Sequence, residues 1–242
     1  MSTHPQYTVY AVRYAQRDAR RGEHFHGYEP GGESSHPTAY YVWAAVSGEH
    51  TVVVDTGIAP GRAARVQGLD YRCSPVEALA ELGIAAESVD HVVLTHLHYD
   101  HTGTARDFPR ARYVVQRAEL DYWDRPPGRS ASPASAGLLD DGDLAHLTAA
   151  VKDGRALVPD GDAALLPGLS VHLVGGHTAG MQVVRVETAR GPVVLASDAS
   201  TLLREHRERP PLPDPAQHDR HVRRLRPHQG AGRRPRAGGR RP

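Results

Sequence analysis

The chain has 242 residues, 39% of them hydrophobic, which is enough to bury one sizeable core. No apolar stretch approaches membrane-spanning length and no basic start leads into an apolar run, which argues against a membrane span or a secretory leader. The net charge of +1 conceals a split: residues 1–200 hold 17 basic against 24 acidic side chains, a net of −7, while residues 201–242 hold 12 against 4, a net of +8.

YTVYAVR (7–13) and AYYVWAAV (39–46) are rich in Tyr, Val and Trp and predict strands. The turn SGEH then leads into TVVVDTG, a third strand near 51–55 that forms a hairpin with the second. CSPVEALAELG carries helix signals together, with Ser74 at N-cap, Pro75 at N1, Glu77 closing a capping box and Gly83 just past the end. Cys73, the only cysteine, reads as a half-buried small side chain; it excludes an internal disulfide and fits a reducing, cytoplasmic compartment. HVVLT (91–95) and RYVVQ (112–116) predict further strands, and RAELDYW a short helix. Residues 125–140, rich in Pro, Ser and Gly, predict a loop. LSVHLVG, QVVRVET and PVVLASD predict strands near 169–174, 182–188 and 192–198. Strands with interspersed helices indicate a layered α/β domain over residues 1–200.

Each chemically suggestive stretch follows a strand: DTG after VVV, HLHYDH after VVLT, GGH after VHLV and SDAS after VVLA. Loops at strand ends are where a rigid sheet presents a site. In HLHYDH, His96 and His98 stand two apart on an extended segment and can present both imidazoles to one ion. Asp100 and His101, further round the turn, can face a second ion. Imidazole with carboxylate is a borderline N/O set suited to Zn²⁺. A chance surface cluster is the plainer reading, but four ligand-type side chains in six positions after an apolar strand favour metal. His177 in VGGHTAG and Asp198 in LASDAS complete the candidate set, and Asp55 reads as a hydrogen-bonding support for the ligand loop.

DTG, HxHxDH, a lone histidine after a glycine pair and a strand-terminal aspartate, in this order, resemble the metallo-β-lactamase superfamily. THLHYDHTG, GGHTAGMQVV and LASDAS look most like its N-acyl-homoserine lactonase branch. The resemblance implies a metallo-β-lactamase-like αββα sandwich with a di-metal site at one edge. His96, His98 and His177 would hold the first Zn²⁺, Asp100 and His101 would contribute to the second, and Asp198 would bridge the pair. Such a site supplies an acidified water near neutral pH and a polarised carbonyl, so a small lactone or ester opens without a Ser or Cys nucleophile. Asp100 or Asp198 would pass the proton to the leaving alkoxide. Because position 98 is His and not Glu, the flavin-linked di-iron oxygen reductases fit less well. Glyoxalase II-type thioester hydrolysis, oxidation of a sulfur substrate at one iron, and a non-catalytic metal-binding relic are the alternatives.

The resemblance stops near residue 200. Family members complete the second metal with a histidine in a Gly-His-Asp turn, and no Gly-His-Asp occurs after Asp198. The sandwich is therefore expected to be C-terminally incomplete and the second metal position weaker. From Thr201 the chain holds 12 Arg and 7 Pro with no aromatic residue, a composition that cannot bury enough surface to fold. It suggests a nucleic-acid arm, but arms rarely begin inside a motif, so no specific nucleic-acid partner is expected. A shifted reading frame explains the abrupt change better. The single lysine against 28 arginines fits a GC-rich gene. With suitable third bases, residues 202–226 back-translate in another frame to an aromatic, apolar stretch resembling the lactonase continuation.

Overall fold

Pairing, more than apolar alternation, sets the length of the first two strands. In the computed structural model, which describes residues 5–24, 30–123 and 137–200, β1 spans Thr8–Arg20 and β2 Ser35–Val46. They run antiparallel from Thr8↔Val46 to Arg20↔Ser35, with an irregularity between Arg13 and Ala15. Both outlast the stretches expected at 7–13 and 39–46, because ladder hydrogen bonds carry the ribbon on through polar residues that apolar patterning does not mark.

The expected hairpin forms between β2 and β3 (Thr51–Val54). A short strand, β4 (Leu69–Tyr71), pairs with the other side of β1. Next to β3 lie β5 (His91–Val93), β6 (Arg112–Val114) and β7 (Ala156–Leu157), each parallel to its neighbour. The order in this seven-stranded sheet is β4-β1-β2-β3-β5-β6-β7. A second, antiparallel sheet contains β8 (Ala163–Leu166), β9 (Leu169–Leu173), β10 (Gln182–Thr188) and β11 (Gly191–Leu195), in the order β11-β10-β9-β8. The last strand stops short of the expected 198, because Ser197 takes a left-handed φ of 47° and turns the chain.

Five helices are described: α1 (Pro60–Ala63), α2 (Pro75–Ala80), α3 (Tyr99–Thr102), α4 (Arg117–Trp123) and α5 (Asp141–Lys152). The capping box of α2 forms as expected, with Glu77 N–H donating to Ser74 Oγ and Ser74 N–H to the Glu77 carboxylate. Such a cap contributes about 1 kcal/mol. Helix α5 begins just past the loop expected at 125–140, in a stretch for which no element was expected. Asp140 caps it by accepting from the N–H groups of Gly142 and Asp143, and residues 125–136 lie outside the described set.

Two apolar clusters separate three layers. Leu79, Leu120, Trp123 and Leu147 from the helices pack with Val42, Val53 and Val92 on one face of the large sheet. On its other face, Val52, Val54, Val93 and Val114 meet Leu169, Val171, Val184 and Val186 of the second sheet. The alternate residues of β3 and β5 thus serve opposite cores, as the two-residue repeat of a strand dictates. The described residues give three layers of the expected αββα sandwich; only a single 3-10 turn, Ser197–Ala199, follows β11 among them, and the 201–242 segment lies outside them. No helix among them is long and apolar enough to cross a membrane.

Candidate metal centre

The parallel strands β3 and β5 end side by side, and the loops that leave them carry the candidate ligands. After β5 the chain stays extended through His98, whose φ and ψ are −69° and 149°. It then makes the single turn α3, which returns His101 to the same space. The loop after β3 is zipped to this turn: Thr56 N–H donates to His101 O at 2.7 Å and Gly103 N–H to Gly57 O at 2.8 Å. His177 comes from the second sheet. The glycines before it, at φ 63° and 93°, form the turn that their lack of a Cβ permits. Gln182 N–H donates to Thr95 O at 2.9 Å, fastening that loop beside β5.

Three imidazoles converge in the first group. His98 Nδ1 lies 3.0 Å from His96 Nε2 and 3.0 Å from His177 Nε2. Burial, reinforced by the neighbouring histidines, pushes His96 and His98 well below the ordinary histidine range, so both present neutral rings. The tautomer of His96 follows from its other nitrogen. Thr95 Oγ1 spends its hydrogen on Asp55, so His96 Nδ1–H donates to Thr95 Oγ1 at 3.1 Å and Nε2 keeps a lone pair. However the hydrogens of His98 and His177 are assigned, one of the two N···N contacts at His98 Nδ1 is left without a well-placed hydrogen. A divalent cation satisfies all three: nitrogens about 2.0–2.1 Å from a tetrahedral Zn²⁺ stand roughly 3.3 Å apart. The residues therefore fit a metal ion.

A second group joins His96, His101 and Asp198. Asp198 Oδ2 lies 3.4 Å from His177 Nε2, 3.6 Å from His101 Nε2 and 4.0 Å from His96 Nε2, so one carboxylate oxygen faces both groups. Asp100 Oδ2 is 3.8 Å from His101 Nε2. Burial opposes charge on His101, but Asp55, Asp100 and Asp198 outweigh it and hold the imidazolium well above its usual range. Burial would also raise Asp198, yet the charged His101 beside it holds its carboxyl well below the usual carboxylate range. A proton on His101 thus offsets these carboxylates, and a bound cation would take over that role. All six sequence candidates share one space.

Asp55 supports this group from below. It is fully buried and left-handed, at φ 59°. It accepts from Thr95 N–H at 2.8 Å, from His101 Nδ1–H at 2.8 Å and from Ser197 Oγ–H at 2.9 Å, besides Thr95 Oγ1. Ser197, Thr95 and Glu119 were not singled out in the sequence. Beside Asp100, His101 and Asp198 a cleft of about 460 Å³ opens, walled by Tyr40, Tyr41 and Trp43 of β2. A polar floor beneath an aromatic wall suits a small molecule with an apolar arm and a carbonyl group.

A model of the metallo-beta-lactamase superfamily matches residues 35–226, past the end of the described chain. An N-acyl homoserine lactonase of Bacillus sp is 31% identical over 126 residues, covering 52% of this chain and 44% of that protein. The N-acyl homoserine lactonase AttM of Agrobacterium fabrum is 32% identical over 149 residues, covering 60% and 54%. The matched part spans about half the length of these curated relatives. Among solved structures, a quorum-quenching N-acyl homoserine lactone lactonase aligns with a TM-score of 0.68 at 20% identity over 93% of this chain and 88% of that one, a likeness of fold.

Proposed function

Because the chain belongs to the metallo-beta-lactamase superfamily, we propose that it is a metal-dependent hydrolase that opens small lactones of the N-acyl homoserine type. The observation that carries this reading is the convergence of His96, His98 and His177 on one point, with Asp198 between them and His101, beside an aromatic-walled cleft. His96, His98 and His177 would hold the first Zn²⁺, Asp100 and His101 would contribute to the second, and Asp198 would face both. When bound, such ions supply Lewis acidity toward the lactone carbonyl and a water acidified to near neutral pKa.

The chain's own residues do the rest. The aromatic wall receives the acyl arm and keeps water from it. In the reaction, the oxygen of water bonds to the acyl carbon, the ring C–O bond breaks, and the ring oxygen takes a proton. Asp100, at the edge of the cleft, is placed to carry that proton, and Asp198 is its alternate. The lone Cys73 is in keeping with a cytoplasmic setting.

Stripping the purified chain with a chelator is expected to abolish opening of N-hexanoyl-homoserine lactone, followed by base uptake at constant pH, and added Zn²⁺ to restore it. Metal analysis is expected to find one tightly held ion per chain and a second held more weakly, since no Gly-His-Asp follows Asp198. Equal, stoichiometric occupancy of both positions would contradict that ranking. Faster turnover of a thioester than of the lactone would move the assignment to the glyoxalase II type, and metal loading without any turnover would leave a relic.

We also propose that residues 201–242 are encoded out of frame, on the strength of the compositional break at Thr201. Reading the gene from the Val193 codon onward in three frames is expected to reveal an aromatic continuation ending in Gly-His-Asp. Its absence from every frame makes the arginine-rich segment genuine.

A further inference from the structure

Glu119 sits on α4, outside the cleft lining, and is fully buried. Its Oε1 accepts from Leu97 N–H at 3.0 Å and from Trp123 Nε1–H at 2.8 Å, and its Oε2 accepts from Gly180 N–H at 2.8 Å. Each donor belongs to the first metal group's surroundings. Leu97 lies between His96 and His98, and Gly180 is three residues beyond His177. The Trp123 ring stands edge-on to His98 with centroids 5.9 Å apart. At Gly180 the approach is so close that a Cβ would fall 2.2 Å from Glu119 N, which excludes any other residue there without movement of the loop.

We propose that Glu119 is a positioning residue: one carboxylate that sets the distance between the two ligand loops, so that His98 Nδ1 and His177 Nε2 meet before an ion arrives. The inference rests on the metal reading above. Both loops are irregular backbone from different sheets; Gln182 ties them at Thr95 and Leu94, and Glu119 ties them beside the three imidazoles themselves. A carboxylate with three donors uses only acceptor capacity. A carboxamide has a single oxygen, so Glu119→Gln turns an NH₂ group toward at least one of these N–H donors and the loops must part. Glu119→Asp keeps the charge but is one methylene too short to reach both.

Co²⁺ binding to the metal-depleted full chain, followed by visible absorption and chelator competition, tests this without any turnover. Glu119→Gln is expected to weaken the tightest Co²⁺ position by roughly 10–100-fold and to alter its absorption envelope. Thermal unfolding of the metal-free protein runs alongside, with Leu147→Ala as a core variant that lowers stability at a buried helix position away from these loops. Leu147→Ala is expected to keep the wild-type Co²⁺ affinity. If Glu119→Gln unfolds more easily yet binds Co²⁺ with unchanged affinity and spectrum, Glu119 is only a structural clamp and the inference falls. Should that variant not fold, Glu119→Asp is read by the same criterion. His96→Ala separates the two levels: if it binds Co²⁺ as tightly as wild type, the metal reading itself fails, whatever Glu119 does.

Discussion

Replacing Asp55 with alanine is expected to cost about 3–5 kcal/mol of stability, because it strands a buried imidazolium and several donors at once. Thr95 N–H, Thr95 Oγ1, His101 Nδ1–H and Ser197 Oγ–H all lose this acceptor, and burial keeps water from Thr95 and His101. The left-handed backbone at φ 59° adds strain, since alanine adopts that region reluctantly whereas Asp and Asn tolerate it. Asp55→Asn keeps the backbone and one acceptor, so its loss is expected to fall between wild type and alanine. Urea unfolding of the metal-free chain measures both. A loss below about 1 kcal/mol for alanine, the worth of a single ordinary hydrogen bond, means that other contacts hold these loops.

His96→Ala is expected to have the largest effect on catalysis. The ring is fully buried and belongs to both groups, so each loses a nitrogen. Lactone opening is expected to fall by more than the roughly 100-fold that marks the upper end for losing an outer partner of a ligand. A second readout is thermal. An ion at 100 times its dissociation constant stabilises the folded state by about 2.7 kcal/mol, and this gain is expected to vanish in the variant at the same Zn²⁺ concentration. The metal-free form should suffer less, because removing a desolvated imidazole relieves part of the cost of burying it. An undiminished rise in melting temperature on adding Zn²⁺ would mean that the ion sits elsewhere.

The candidate ligands were legible because chemistry and chain order coincide for most of them. HLHYDH puts four ligand-type side chains on one loop, and the glycines before His177 mark the turn that carries it. Asp55 was legible through its DTG setting. Glu119 was not, since two of its three partners are backbone N–H groups that any residue supplies. Its nearest sequence signal was Trp123, four positions on and on the same helix face, which reads equally well as core packing. Most strands were found where long apolar runs marked them; the short AALL of β8 was missed, and others were missed or cut short where pairing alone holds them, as at Arg17–Leu69. Helix α5 escaped notice because its first turn, DGDL, reads as a continuation of the Pro-, Ser- and Gly-rich run before it, although Asp140 carried a capping signal.

The distance in sequence between Asp55 and Ser197 has a consequence for how the protein is made. Their hydrogen bond spans 142 residues, and that between Thr95 and Ser197 spans 102. Closing such long loops is the slow part of folding a topology rich in non-local contacts. During synthesis, His96 and His98 leave the ribosome well before His177, and Asp198 later still. Until then the nascent chain presents only the HLHYDH part of the candidate site. Docking of the second sheet is thus also the step that would close the proposed ion's seat, so metal uptake by a refolding chain is expected to report the last folding event and not the first.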